Sequence, residues 1–351
     1  MSIRGLIDRL ANGENLTDDE LREILLLDDD EYLCAKAAAV REKHYGKDVY
    51  LRGLIEISSY CKNDCRYCGI RRSNGKAERY RLSDGEILSC GDAGYDLGFR
   101  TFVLQGGEDP YFTDERLVPL VRTLKTRHPD CAVTLSLGER SRESYQKLFD
   151  AGADRYLLRH ETADKAHYEM LHPAEMSYDR RMKCLENLRE TGYQVGCGMM
   201  VGSPYQTLEH LIKDLRFLGK FKPEMVGIGP FIPHSDTEYS DFEHGSAELV
   251  VRLISIIRLI LPDALIPATT ALGTVDGFGR EKALLAGANV VMPNLSPKDV
   301  RSKYLLYDNK ICTGEEAAEC IRCMSLRVAS VGYRTVKDRG DHVKYKIGAG
   351  I

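Results

Sequence analysis

Cys61, Cys65 and Cys68 stand in a C-x3-C-x2-C pattern within the stretch SSYCKNDCRYCGIRR. Three thiolates on one tight loop can hold three irons of a four-iron, four-sulfur cluster. The fourth iron then stays open to a ligand from outside the chain. A reactive cluster needs that opening, whereas an electron-transfer cluster does not. A zinc site is one alternative, but a structural zinc is normally closed by four ligands. No fourth ligand is near, since the next histidine downstream is His128. Unrelated buried thiols are the blander alternative, yet free cysteines are few and rarely cluster on loops.

A second set, Cys312, Cys320 and Cys323, forms C-x7-C-x2-C near the C-terminus. Its spacing suits another iron–sulfur cluster, with a zinc site or idle surface thiols as alternatives. Cys34, Cys90, Cys131, Cys184 and Cys197 read as small buried apolar residues, Cys197 with the least assurance because it falls on a strand.

The chain has 351 residues, 29% charged and 43% hydrophobic, which is ordinary globular composition. Lys and Arg number 49 against 53 Asp and Glu, a net charge of −4. That balance argues against a general nucleic-acid binder or a polybasic membrane protein. No stretch reaches the roughly 20 apolar residues of a membrane span. The most apolar run, residues 251–261, is cut by Arg258. Charges run through the N-terminal MSIRGLIDRL, so secretion is not expected, and the cysteines of a cytoplasmic chain should be thiols.

The elements that must carry these residues form three parts. Residues 1–48 read as a helical extension, with Thr17 to Glu20 as a capping box and a second helix ending near Gly46. Residues 49–293 alternate short β-branched runs with amphipathic stretches. The eight candidate strands are 51–58, 101–105, 132–137, 155–160, 194–200, 225–231, 264–270 and 289–293. Eight strand–helix units in series predict an α/β fold, a closed (β/α)8 barrel of TIM type. An open Rossmann-like sheet is the competitor. Residues 294–351 should form a C-terminal cap over one end. Barrel chemistry sits at the C-terminal strand ends, and those ends are polar here: QGGEDP, SLGE, RHE, MVGSP, FIPHSDT, ATTA and MPN.

With this cysteine loop, and with the aromatic Tyr67 before its third cysteine, the sequence resembles the radical S-adenosylmethionine (SAM) superfamily. The resemblance implies an enzyme. The open iron would chelate the amino and carboxylate groups of SAM, and an electron would split the sulfonium into methionine and a 5′-deoxyadenosyl radical. Gly106, Gly107 and Glu108 would bind the methionine amino group, although a glycine turn closing a strand is common. Thr134 and Ser136 lie two apart on one face of a strand. Glu161 could accept from ribose hydroxyls. Arg180 could pair with the SAM carboxylate, or be a solvated helix arginine. Met199, with Met200 beside it, could pack on adenine or merely fill a gap.

Longer strings, among them IEISSYCKNDCRYCGIRR, VLQGGEDPY, AGADRYLLRHET, MVGIGPFIPH and IPATTALGT, resemble the HydE family of FeFe-hydrogenase maturases from about residue 50 to 325. That resemblance implies work on the diiron part of the hydrogenase H-cluster. The substrate would be a small anionic organometallic, a cysteine-bound iron carbonyl–cyanide synthon, or a thiol compound. The partners would be the other maturases and an electron donor. Many members also hold an accessory iron–sulfur cluster in a tail triad like Cys312, Cys320 and Cys323. For an anionic substrate the contacts would be Arg159, Thr269, Thr270, Tyr304 and Tyr307. Their alternatives are a rim ion pair, strand-filling threonines and surface tyrosines. His234 closes a polar loop or binds ligand, with no proton-transfer role assigned. Methylornithine synthase-like lysine rearrangement and biotin synthase-like sulfur insertion are rival enzyme readings. A non-enzymatic metal scaffold would need the cysteine loop without SAM contacts.

Overall fold

A computed structural model describes residues 2–346, so residues 347–351 of the expected cap lie outside the described part. Three helices, Ile3–Ala11, Asp18–Leu25 and Glu31–Tyr45, precede the first strand. The middle one starts as its sequence dictates. Glu20 N–H donates to the Thr17 hydroxyl at 3.2 Å, and Thr17 N–H donates to the Glu20 carboxylate at 2.7 Å. The side-chain hydroxyl of Ser83 and Glu86 make the same reciprocal cap on helix Asp84–Asp96.

The strands are β1 (Asp48–Leu51), β2 (Gly53–Ser58), β3 (Thr101–Gly106), β4 (Ala132–Ser136), β5 (Arg155–Leu157), β6 (Gln194–Cys197), β7 (Met200–Val201), β8 (Met225–Val226), β9 (Gly229–Pro230), β10 (Val290–Val291) and β11 (Arg334–Val336). β2, GLIEIS, is buried at all six positions, as a parallel strand covered on both faces must be. One parallel sheet runs β2-β3-β4-β5-β6-β8. Single parallel bridges carry the ring onward, from Met225 to Leu265 and from Pro267 to Val290. It closes where β10 pairs with β1 and Leu54 bridges Asn294. The fold is a TIM-type α/β barrel.

Several of the expected strands are not continuous, the first among them, which is split at Arg52 between β1 and β2. The fifth and sixth break into β6 with β7 and β8 with β9, and the partners realign as a separate β7–β9 ladder. The break sits at Gly198, where a Cβ would lie 1.9 Å from the Gly227 carbonyl oxygen, so the two backbones touch. The seventh, 264–270, survives only as the two bridges. Thr269 caps a helix, Thr270–Val275, by accepting from Leu272 N–H at 3.3 Å. Thr270 is the first residue of that helix, so neither threonine is a strand filler.

The tail covers both ends of the barrel, where one was expected. Its segment around Leu306 to Met324 lies over the C-terminal rim. Beyond helix Ala317–Ser330, β11 pairs with β1 and the chain seals the opposite end. There Arg155, fully buried at the start of β5, donates to Asp341 at 2.5 Å, and Gln194 donates to the same carboxylate at 2.8 Å. Among the described residues no helix is long and apolar enough to cross a membrane.

Candidate active site

The cysteine loop leaves β2 and is tied down by groups that hold its backbone. Arg79 spreads its guanidinium over four carbonyls, those of Ser59, Ile70, Arg71 and Asn74, at 2.5 to 3.1 Å. Gly69 N–H donates to Leu306 O at 2.9 Å, and Arg66 N–H to Leu171 O at 3.1 Å. Lys62 N–H donates to Glu108 O at 2.9 Å, which joins the loop to the end of β3. Gly107 is required at that junction. A Cβ there would fall 2.2 Å from Tyr60 O and 2.8 Å from Cys61 Cβ. Asp109 accepts from Ser58 and Arg81 beneath the loop.

All eleven cysteines are free thiols. Burial pushes the Cys61 thiol up; burial together with the charge of its neighbours pushes Cys65 up further and Cys68 to about 12. Three mutually close, desolvated thiols are poor thiolates alone and need cations to ionise them. Among the described residues no three His, Cys, Asp or Glu side chains are gathered tightly enough for one metal ion. Thiolates on different irons of a cube stand further apart than ligands of one ion. Three thiols on one loop, with no fourth protein ligand beside them among the described residues, are the donor set of an iron–sulfur cluster with one open iron.

Beside the loop lies a wall of charge. Glu108 sits between Lys62, at 3.3 Å, and Arg181, at 3.8 Å. Gly138, in the left-handed region at φ 73°, leaves the space that Glu108 fills. Arg181 is buried and donates to Glu139 at 2.7 Å and to the Arg159 carbonyl at 2.7 Å. Arg180, the residue singled out from sequence, has its side chain 60% exposed and meets Glu139 from outside at 3.1 Å. The guanidinium that faces the mouth from within is Arg181. Glu161 holds a left-handed backbone at φ 65°, a strained geometry for a non-glycine residue. Its Oε2 lies 2.9 Å from Arg159 Nη2 without hydrogen-bond geometry. That oxygen and Thr134 Oγ1 are buried polar atoms with no hydrogen-bond partner. Such atoms are rarely left unpaired; a hydroxyl-bearing ligand fits Glu161 at the mouth, whereas Thr134 lies deeper, level with Arg155 on the neighbouring strand. Ser136 is partly exposed at the end of β4. Met199 is fully buried in the core, and its carbonyl accepts from Arg159 at 2.9 Å. The Tyr67 hydroxyl meets His172 Nε2 at 3.2 Å.

Arg159 also borders an internal cavity of about 230 Å³. Thr269, Thr270 and Tyr307 line it. Tyr304 stands one layer behind, buried, its hydroxyl 3.4 Å from Gln105 Nε2. Residues that the sequence did not single out line it too: Glu56, Arg280, Asn294 and Lys310. Lys310 pairs with Glu56 at 2.6 Å, both nearly inaccessible, and Asn294 donates to the other Glu56 oxygen at 2.9 Å. The glutamate inside a buried apolar strand was the available signal for this group. Cys312, Cys320 and Cys323 line the same cavity. His234 packs its ring on Gly69, directly after Cys68, and borders a separate polar pocket.

Residues 55–218 match the family model described as the radical SAM superfamily. Over 343 residues the chain is 42% identical to the [FeFe] hydrogenase maturase subunit HydE of Thermotoga maritima, covering 97% of each protein. It is 32% identical to the 3-methylornithine synthase of Methanosarcina acetivorans over 93% of this chain and 92% of that one. The crystal structure of methylornithine synthase (PylB) superposes with a TM-score of 0.83 at 30% identity, covering 94% of this chain and 97% of the other.

Proposed function

The chain belongs to the radical SAM superfamily and is an iron–sulfur enzyme of the HydE type, and from that premise we propose that it acts in assembly of the diiron part of the FeFe-hydrogenase H-cluster. A four-iron cluster, when bound, supplies one electron to the SAM sulfonium and so opens the route to methionine and a 5′-deoxyadenosyl radical. Cys61, Cys65 and Cys68 would hold three of its irons. Gly106, Gly107 and Glu108 would take the methionine amino group. Arg181, backed by Glu139, would set the charge beside Glu108, with Arg180 an outer contributor. Glu161 and Ser136 would satisfy ribose hydroxyls, with Thr134 deeper on β4, and Met199 with Tyr67 would shape the wall. The substrate we propose is a small anionic, cysteine-derived iron carbonyl–cyanide compound, held by Arg159, Thr269, Thr270 and Tyr307 with Tyr304 behind them. The tail triad Cys312, Cys320 and Cys323 would hold a second iron–sulfur cluster. The setting is cytoplasmic, alongside the other maturases and an electron donor.

One observation carries this reading. Arg159 borders the cavity and pairs with Glu161 on the expected nucleoside wall, so the two sites share a side chain. A radical formed on that wall would arise beside the substrate cavity, inside the barrel mouth. The test is anaerobic reconstitution with iron and sulfide, then electron paramagnetic resonance with and without SAM. A spectrum that shifts on SAM addition supports the reading, as does recovery of hydrogenase activity in a maturation mixture lacking its HydE component. A lysine rearrangement is the second reading, favoured by the superposition on methylornithine synthase. Incubation with L-lysine, SAM and dithionite separates the two, since only a mutase forms methylornithine.

A further inference from the structure

The cavity is made by two parts of the chain. Arg159, Thr269 and the inner faces of β2 and β3 supply its barrel side. Its roof comes from a single tail segment between Leu306 and Met324, and all three tail cysteines are in that roof. The strap that carries Cys312 is held in an unusual way. Among the described residues, no backbone amide from Asn309 to Glu315 donates to another backbone carbonyl. Asn309 and Cys312 both take left-handed backbone, at φ 59° and 62°. What holds the strap is side chains: Lys310 on Glu56, Arg301 Nη1 on the Glu315 carbonyl, and Arg280 Nη2 at 3.5 Å from Cys312 Sγ. Segments with few backbone hydrogen bonds open at low cost.

Cys320 and Cys323 lie three apart in the first turns of helix Ala317–Ser330, so they share a face. That helix is anchored independently, by Arg327 to Glu281 at 2.6 Å. Cys312 therefore sits on the strap that only side chains hold, and the other two on the anchored helix. We infer that metal bound by Cys312, Cys320 and Cys323 staples the strap to the helix, and that its presence or loss closes or opens the roof of the substrate cavity. A cross-link acts on a loop by removing its open conformations, as a disulfide does. The triad then controls passage of the small anionic substrate while taking no part in SAM cleavage. This inference rests on reading the triad as a second iron–sulfur site.

The test places a thiol at a cavity-lining position, Ala268→Cys, where the native side chain is 4% exposed. Iodoacetamide alkylation at position 268 is followed by peptide mass spectrometry after anaerobic reconstitution, with the triad intact and with Cys320→Ser plus Cys323→Ser. The expected result is alkylation at least about tenfold slower with the triad intact. Equal rates overturn the inference. So does an iron content that the two serines leave unchanged. Hydrogen exchange on protein without the added thiol guards against a misfolded variant: loading should slow exchange across residues 309–316 only where the triad is intact, and unchanged exchange there counts against the staple. Formation of 5′-deoxyadenosine in the same samples reports on the first cluster alone. Its absence beside a responsive roof would sink the proposed function and leave the staple standing.

Discussion

Arg180 and Arg181 are neighbours in sequence and opposites in environment. One side chain is 60% exposed, the other 9%, and both reach Glu139. Removing Arg181 leaves Glu139 and Glu108 without their buried cation, and breaking a buried pair costs about 3–5 kcal/mol. Arg181→Leu should therefore lower the urea midpoint and weaken SAM binding together. Arg180→Leu removes an exposed contact and should change stability by about 0–1 kcal/mol. Equal effects of the two would reverse their assignment. For the thiols, Cys65→Ala should abolish 5′-deoxyadenosine formation with dithionite, while Cys320→Ala should lower iron content and leave that product. At this scale the sequence was most legible where chemistry fixes spacing. Three thiols on one loop announce themselves. The inward arginine does not, because helix phase decides which of two adjacent residues faces in.

Elements set how close backbones come. Where β3 ends, Gly107 lets the cysteine loop lie against it, and Gly107→Ala would drive a methyl into Tyr60 O and Cys61. The expected outcome is a displaced loop. Iron uptake at the first site should fall, while far-ultraviolet circular dichroism stays that of the parent. Capped helices were readable because their signals are local, as at Thr17 and Ser83. The breaks within the fifth and sixth strands were not. A run such as QVGCGMM carries strand propensity throughout, and only contact with Gly227 shows that Gly198 must interrupt it. The seventh strand failed for a related reason: its β-branched ATT serves as well for a helix cap as for a ladder.

Across the whole molecule the tail works at both ends of the barrel. At the closed end burial raises Asp341, but Arg155, Arg339 and Gln194 outweigh it and hold the carboxyl below the usual carboxylate range. The hydrogen bond from His342 holds Asp263 down to about 2. A depressed carboxylate stabilises the fold above its unfolded pKa of about 4, and that contribution is lost as pH falls through the folded value. Thermal midpoints should therefore drop between about pH 4 and 2, and Asp341→Asn should flatten that drop. At the open end, Lys310→Met strands Glu56 beneath the roof and should cost about 3–5 kcal/mol, read by chemical denaturation. The sequence by itself determined the alternating strand–helix order and the cysteine loop, because periodicity and ligand spacing are written in neighbouring residues. Only the tertiary structure decided that the tail triad, Arg159 and the paired Glu56 and Lys310 border one cavity. That proximity joins Glu56 to Lys310 across 254 positions and reaches further along the tail to the cysteines, and it arises from closing the barrel and laying the tail across it, which no local pattern encodes.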